Sequence, residues 1–248
     1  MKTCGLVSIS FRQHSAEDII EATKNAGLSC IEWGSDVHVP QDDAEKAIAV
    51  KAMMDEAGLK TSSYGSYYKL GQNQDITPYL ESAKILGTNI IRIWAGTKGS
   101  GLTSEEERKV LTAEAKEISK KAAKFGIKID FEYHPNTLTD DADSAVRLIK
   151  EVDESNCGIY WQPNYQLSEE QNLVAAQKVL PYVDVLHVFY WSREHKRLFM
   201  EQGENKVLNY LKIFKDKNVF KLLEFVPDDK IEYLQTEAKV LFNLVEEA

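Results

Sequence analysis

A helical pattern that closes on glycine and passes at once into a β-rich run occurs four times in the first half of this chain. The instances are NAGLSCIEW around Gly27, EAGLKTSSY around Gly58, ILGTNIIRIW around Gly87 and KFGIKIDFEYH around Gly126. Glycine just past a helix supplies the left-handed backbone that ends it cheaply, and the strand follows after a very short loop. Repeated helix-to-strand junctions of this kind imply parallel strands joined by right-handed crossovers. Helix starts are marked as well: Ser15-x-x-Asp18, Ser104-x-x-Glu107 and Ser168-x-x-Gln171 each have the pattern of a capping box.

Read straight through, the pattern predicts strands near residues 4–9, 29–33, 60–64, 89–94, 127–132, 157–162, 183–188 and 220–224. Helices fill the gaps, near 15–25, 43–57, 75–86, 104–124, 140–151, 169–179, 205–215 and 229–246. Eight alternating pairs in 248 residues match a closed α/β barrel, typically about 250 residues long. No G-x-G-x-x-G follows the first strand, as an open dinucleotide-binding sheet would need. The expectation is an α/β chain folded as a single (β/α)8 TIM barrel, one domain over residues 1–248. With 43% hydrophobic residues, six prolines and no Ser-, Gly- or Pro-rich linker, nothing in the chain argues for a split.

The net charge of -9 repels phosphate backbones, so no nucleic acid partner is expected. Cys4, Cys30 and Cys157 lie inside strand-like runs without paired spacing, which reads as buried reduced thiols. The amino terminus MKTCGLVSISF lacks a signal-peptide stretch, and no later run approaches the eighteen or so apolar residues of a membrane span. A cytoplasmic protein without a membrane partner is the expectation. A homo-oligomer is compatible with an acidic, helix-coated barrel, but no feature sets an interface.

Four strand-like runs in the second half each end on a side chain able to coordinate a metal ion: IKIDFE at Glu132, GIYWQ at Gln162, VDVLH at His187 and FKLLE at Glu224. In parallel strands these ends converge at the carboxyl edge of the sheet, where α/β enzymes place their chemistry. Strand parity puts Glu224 on the face of Leu222 and Phe220, and His187 on that of Val185 and Val183, so each polar end caps an apolar inward stripe. A lone strand-end glutamate is more often salt-bridged, and Lys128, Lys221 and Arg92 are available partners; Glu32 is expected to pair with Arg92. Four such ends in succession point instead to a site.

Two carboxylates, an imidazole and an amide oxygen form a mostly hard ligand set, suited to Mn²⁺ or Mg²⁺ and compatible with Co²⁺ or Zn²⁺. Such an ion holds neighbouring oxygens of a sugar or polyol and stabilises an enediolate, while Glu132 and Glu224 serve as an acid/base pair. His38 after the second strand, Trp94 at the end of the fourth, His134 just past Glu132, and Trp191 and Arg193 beyond the seventh are the candidate substrate-binding residues. Tyr64, Tyr67 and Tyr68 are read as following the third strand, and His14 and His195 as peripheral.

The runs GLSCIEW, HVP, LGTNIIRIWAG, KIDFEYHPNTLTD, LHVFYW and LLEFV resemble the xylose-isomerase-like barrel superfamily, the sugar phosphate isomerases and epimerases. The resemblance spans nearly the whole chain and implies a metal held by Glu132, Gln162, His187 and Glu224, with Glu132 and Glu224 as the acid/base pair. One departure matters. Ketose epimerases of that superfamily usually present an aspartate at the strand-six position and a substrate-contacting histidine three residues later; here the segment reads Gln162-Pro163-Asn164-Tyr165. The departure leaves membership intact and counts against a ketose 3-epimerase. The expected activity is a metal-dependent sugar isomerase or epimerase. The alternatives are a keto-sugar or inosose dehydratase or lyase on the same barrel, or a non-catalytic sugar-binding barrel. A DNA-repair endonuclease on this barrel needs a histidine-rich metal cluster, and this chain has five histidines in all.

Overall fold

The structure, a computed structural model, describes residues 3–192 and 194–248. Eight parallel strands close into a barrel: β1 (Cys4–Val7), β2 (Cys30–Gly34), β3 (Lys60–Lys69), β4 (Ile90–Trp94), β5 (Lys128–Glu132), β6 (Cys157–Trp161), β7 (Val183–Val188) and β8 (Phe220–Leu223). Neighbours in sequence are neighbours in space, and β8 pairs with β1 through Cys4↔Lys221, Gly5↔Leu222 and Leu6↔Leu223 to seal the ring. The covering helices are α1 (Ala16–Asn25), α2 (Ala44–Ala57), α3 (Thr77–Leu86), α4 (Glu105–Ala123), α5 (Ala142–Val152), α6 (Glu169–Val179), α7 (Glu204–Ile213) and α8 (Leu234–Glu247). This is the (β/α)8 TIM barrel that the junctions predicted.

The local signals act as expected. Gly27, Gly58, Gly87 and Gly126 all sit at φ between 73° and 76°, each just past a helix, where a Cβ would be penalised. Ser15, Ser104 and Ser168 each form a complete capping box with the side chain three residues on. Apolar side chains divide between two compartments. A small cluster inside the ring contains Val7, Cys30, Ile90, Tyr160, Val185 and Leu222. A larger one lies between ring and helices and holds Trp33, Phe131, Trp161 and Phe214. Leu222 and Val185 lie in the inner compartment as strand parity predicts, whereas Val183, expected on the same stripe as His187, packs in the outer cluster because the β6–β7 register shifts between Val183 and Val185.

Four local readings are corrected. β1 stops at Val7 because Ser8–Phe11 turn into a 3-10 segment, in which Ser8 Oγ accepts from the Gly34 N–H at 2.9 Å. β3 runs on to Lys69 past a break in its pairing after Gly65, so Tyr64, Tyr67 and Tyr68 lie within it rather than after it. α8 begins at Leu234, preceded by 3-10 turns at Pro227–Asp229 and Ile231–Tyr233, because Asp228 and Asp229 adopt left-handed φ of 55° and 54°. A two-stranded antiparallel ribbon, Tyr190–Trp191 with Arg197–Leu198, rises from the end of β7 and has no counterpart in the predicted elements. No helix among the described residues is long and apolar enough to cross a membrane. The three cysteines are buried and form no disulfide, and burial pushes the Cys30 thiol up to about 12 and that of Cys157 to about 11.

Candidate active site

The ends of β4 to β8 converge on one cluster. Glu132 closes β5, Gln162 stands one residue beyond β6, His187 is the penultimate residue of β7 and Glu224 follows β8 directly. All four are buried. Glu132 is the hub. Its Oε2 accepts from Arg92 Nη1 at 2.9 Å and from the Trp94 indole N–H. Its Oε1 meets the Gln162 amide at 3.2 Å and lies 3.9 Å from His187 Nδ1. His187 Nδ1 in turn faces Glu224 Oε2 at 3.3 Å, and His187 Nε2 faces Glu32 Oε2 at 3.4 Å.

Glu32, on β2, is fully buried; it accepts from Ser63 Oγ at 2.9 Å and sits 3.9 Å from Arg92 Nε. The expected Glu32–Arg92 pairing is therefore present, and Arg92 also satisfies Glu132. Lys128 pairs with Asp184 instead, and Lys221 with the Val219 carbonyl. Gly65 makes room for this network: a Cβ there would fall 2.6 Å from Glu32 Oε1 and 3.3 Å from Arg92 Nη2.

Electrostatically the cluster calls for positive charge. Glu32, Glu132 and Glu224 are buried against one guanidinium, Arg92. Burial alone would lower the pKa of His187, yet the facing Glu224 and Glu32 outweigh it and raise it to about 10. Burial opposes ionisation of Glu32 as well, but His187, Arg92 and the Ser63 hydroxyl hold its carboxyl below the usual range. Among the described residues no three His, Cys, Asp or Glu side chains form a ready metal cage. The donors left over fit a cation nonetheless. Gln162 Oε1 and Glu224 Oε2 are buried without an aligned hydrogen bond, and such acceptors in an anionic pocket are what a hard divalent ion satisfies, with His187 Nδ1 joining them where the ion displaces its proton.

Above Glu132 and Gln162 opens a cavity of about 210 Å³, walled by His134, Asn164, Tyr165, Phe189, Trp191 and Phe225 among others. Its walls are flat rings. Tyr165 stacks on Trp191 (centroids 5.5 Å apart, planes at 21°), and Trp191 leans on Phe225 at 5.0 Å. His134 stacks on Trp94 at 5.2 Å and 19°. His187 and Glu224 lie one contact behind this floor.

Of the predicted substrate-binding residues, His134 and Trp191 line the cavity and Trp94 backs it through His134 and Glu132. His38 is not among its lining residues. Its ring is buried beside Trp33, with Nδ1 3.1 Å from Ser8 Oγ and Nε2 3.3 Å from the His14 carbonyl. Arg193 lies outside the described residues. His195, read as peripheral, packs on Tyr165 at 4.1 Å and so reaches the rim. Tyr165, Phe189 and Phe225 were missed as wall residues. Tyr165 sits four residues past the end of β6 and Phe189 one past the end of β7, which could have flagged them. Phe225 is presented by a left-handed φ of 55°, which no residue type announces.

A family model described as xylose isomerase-like TIM barrel matches residues 20–220, and the chain belongs to that family. A 3-dehydroshikimate dehydratase of Bacillus anthracis is 26% identical to it over 273 residues, covering 96% of both chains. The crystal structure of a probable 3-DHS dehydratase from Bacillus anthracis, involved in petrobactin synthesis, superposes with a TM-score of 0.80 at 23% identity, over 98% of this chain and 99% of the other. The apo structure of a 3-keto-D-glucoside 4-epimerase from E. coli superposes with a TM-score of 0.73 at 16% identity, over 98% of this chain and 99% of the other. At these identities the structural likeness is one of fold.

Proposed function

We propose that this xylose isomerase-like barrel dehydrates a small cyclic keto acid of the 3-dehydroshikimate kind. The observation that carries the reading is Glu132. It is buried and anchored on Oε2 by Arg92 and Trp94, and it presents Oε1 beside Gln162 on the floor of a flat-walled cavity. A carboxylate anchored through one oxygen keeps the other aimed, which is the geometry of a general base. The sequence relative that dehydrates 3-dehydroshikimate supports the same reading.

In this scheme Glu132 Oε1 takes the proton from the carbon α to the ketone. The electron pair of that C–H bond passes through the enolate and breaks the bond to the β-hydroxyl, which leaves as water once protonated. Tautomerisation of the product ring gives an aromatic 3,4-dihydroxybenzoate. His134 serves as the relay in this reading: with its Nδ1–H donated to the Pro135 carbonyl at 2.8 Å, the neutral ring carries its lone pair on Nε2, which takes the abstracted proton from Glu132 and returns it to the departing hydroxyl. Glu224, behind His187, is the second carboxylate of the acid/base pair. Trp191, Tyr165 and Phe225 offer planar walls, which suit a flattening ring better than a pyranose bearing hydroxyls on both faces. A divalent cation of the Mn²⁺ or Mg²⁺ class, which Glu132, Gln162, His187 and Glu224 would hold, supplies Lewis acidity at the carbonyl oxygen when bound.

The paired glutamates favour a second reading, an isomerase or epimerase that returns the abstracted proton in place of expelling hydroxide. Incubation with 3-dehydroshikimate and, in parallel, a panel of ketoses in deuterated buffer containing Mn²⁺ separates the two by NMR. Formation of 3,4-dihydroxybenzoate, lost in Glu132→Gln, is expected. Solvent deuterium entering a ketose with no aromatic product from the keto acid would establish the epimerase. Binding without any exchange of C–H protons would leave a non-catalytic barrel.

A further inference from the structure

The antiparallel ribbon that carries Trp191 pairs only two residues with two, Trp191 opposite Arg197 and Tyr190 opposite Leu198. A ribbon so short has no stability of its own and must be held by side chains. Arg197 holds it to the loop after β8 in two ways. Its guanidinium pairs with Asp229, and it covers the Phe225 ring with Cζ 4.7 Å from the centroid. Phe225 needs such cover. A bulky residue at φ 55° persists only when its surroundings hold it there, and its further tethers are Phe189, edge-on to its ring at 5.4 Å, and the backbone N–H donated to Ser10 Oγ at 3.1 Å. Trp191 and Phe225, the two walls brought together at 5.0 Å, thus share one half-buried fastener that lies outside the cavity lining.

We infer that Arg197 is a positioning residue: through Asp229 and the Phe225 ring it sets the separation of the two aromatic walls and so governs how tightly the flat substrate is gripped. The consequence for catalysis rests on the dehydratase reading, while the fastening itself does not. Both are tested on the purified full-length protein. In Arg197→Met, which keeps the aliphatic stem and drops the charge, amide hydrogen exchange at residues 190–198 and 225–229 should rise about tenfold, with exchange in α1 to α6 unchanged. Arg197→Lys, which keeps a cation over Phe225, should recover most of the protection. With 3-dehydroshikimate as substrate, Arg197→Met should raise KM about tenfold and leave kcat within about twofold, the signature of lost gripping rather than lost chemistry. Unchanged exchange at the ribbon, or a fall in kcat at constant KM, overturns the inference. If the exchange rises as stated but the parent protein forms no aromatic product, the fastener stands and the dehydratase reading falls.

Discussion

Glu132 and Glu224 occupy matching strand ends, yet their surroundings assign them different structural burdens. Glu132 is the counter-charge of a fully buried guanidinium and accepts from it at 2.9 Å, whereas Glu224 Oε2 faces the imidazole of His187 across a looser 3.3 Å. Glu132→Gln should therefore lower kcat about 10²–10⁴-fold, as loss of a general base does. It should also destabilise the fold by about 3 kcal/mol, because Arg92 keeps its charge with one partner fewer. Glu224→Gln should cost comparable activity with a much smaller loss of melting temperature. Equal thermal losses in the two variants, read by differential scanning calorimetry, would refute the anchoring role of Arg92. Gly65 tests the same network from the backbone side. The Cβ of Gly65→Ala would press on Glu32 Oε1 at 2.6 Å, an overpacking worth about 1–3 kcal/mol, and should lower activity and stability together. These four strand ends were legible in the sequence because parity and strand length place a terminal side chain without knowledge of its neighbours. The network that joins them was only half legible. Glu32 with Arg92 followed from their sharing the inner face, but the convergence of Trp94, Ser63 and His187 on the same carboxylates depends on rotamers and on the stagger between strands.

Among the elements, helices with local punctuation were the easiest to read, since a capping serine and a terminal glycine act within a few residues of themselves. The ribbon at 190–198 and the late start of α8 escaped for the opposite reason. Two-residue strands have no periodicity, and the turns at 227–233 are imposed by contacts of Gln13 and Arg197 to Asp229, with Ser10 accepting from the Phe225 N–H just ahead of them. α8 nonetheless supports the ribbon. Its Glu237 is buried and accepts the Met200 N–H through both oxygens at 3.2 and 3.3 Å, just where the chain leaves the ribbon. Burial lifts this carboxyl to about 7, helped by nearby Glu201 and opposed by the Met200 N–H. An acid whose folded pKa lies above its unfolded value favours the fold when protonated. Its contribution is full below the unfolded value near 4.5, declines as pH rises toward about 7, and is gone above that. Urea unfolding between pH 5 and 8 should accordingly show a loss of stability, on the order of 2 kcal/mol after discounting for partial solvation, that Glu237→Gln removes. A variant that follows the parent curve throughout this window would show that Glu237 is already ionised in the fold.

The whole molecule gathers its constraints on one axis. Ring closure through β1 and β8 brings Glu32 from the first quarter of the sequence beside His187 and Glu224 from the last, so the anionic centre exists only in the closed barrel and not in the unfolded chain. A ligand that binds such a centre stabilises the fold by mass action, by about 2.7 kcal/mol at a hundredfold excess over its dissociation constant. For a chain of this size each kcal/mol moves the melting temperature by about 2–4 °C. Titrating the chelator-treated protein with Mn²⁺ or Mg²⁺ should therefore raise its melting temperature by several degrees in a saturable way, with no substrate present. His187→Ala and Glu224→Gln each remove a donor and should flatten the response, while Asp36→Asn, at the exposed Arg12 pair, should leave it intact. An equal rise in all four proteins would mean that the ion binds elsewhere on this acidic surface. No rise in the parent protein would leave His187, held protonated to about 10 by its carboxylates, as the positive charge that this centre uses.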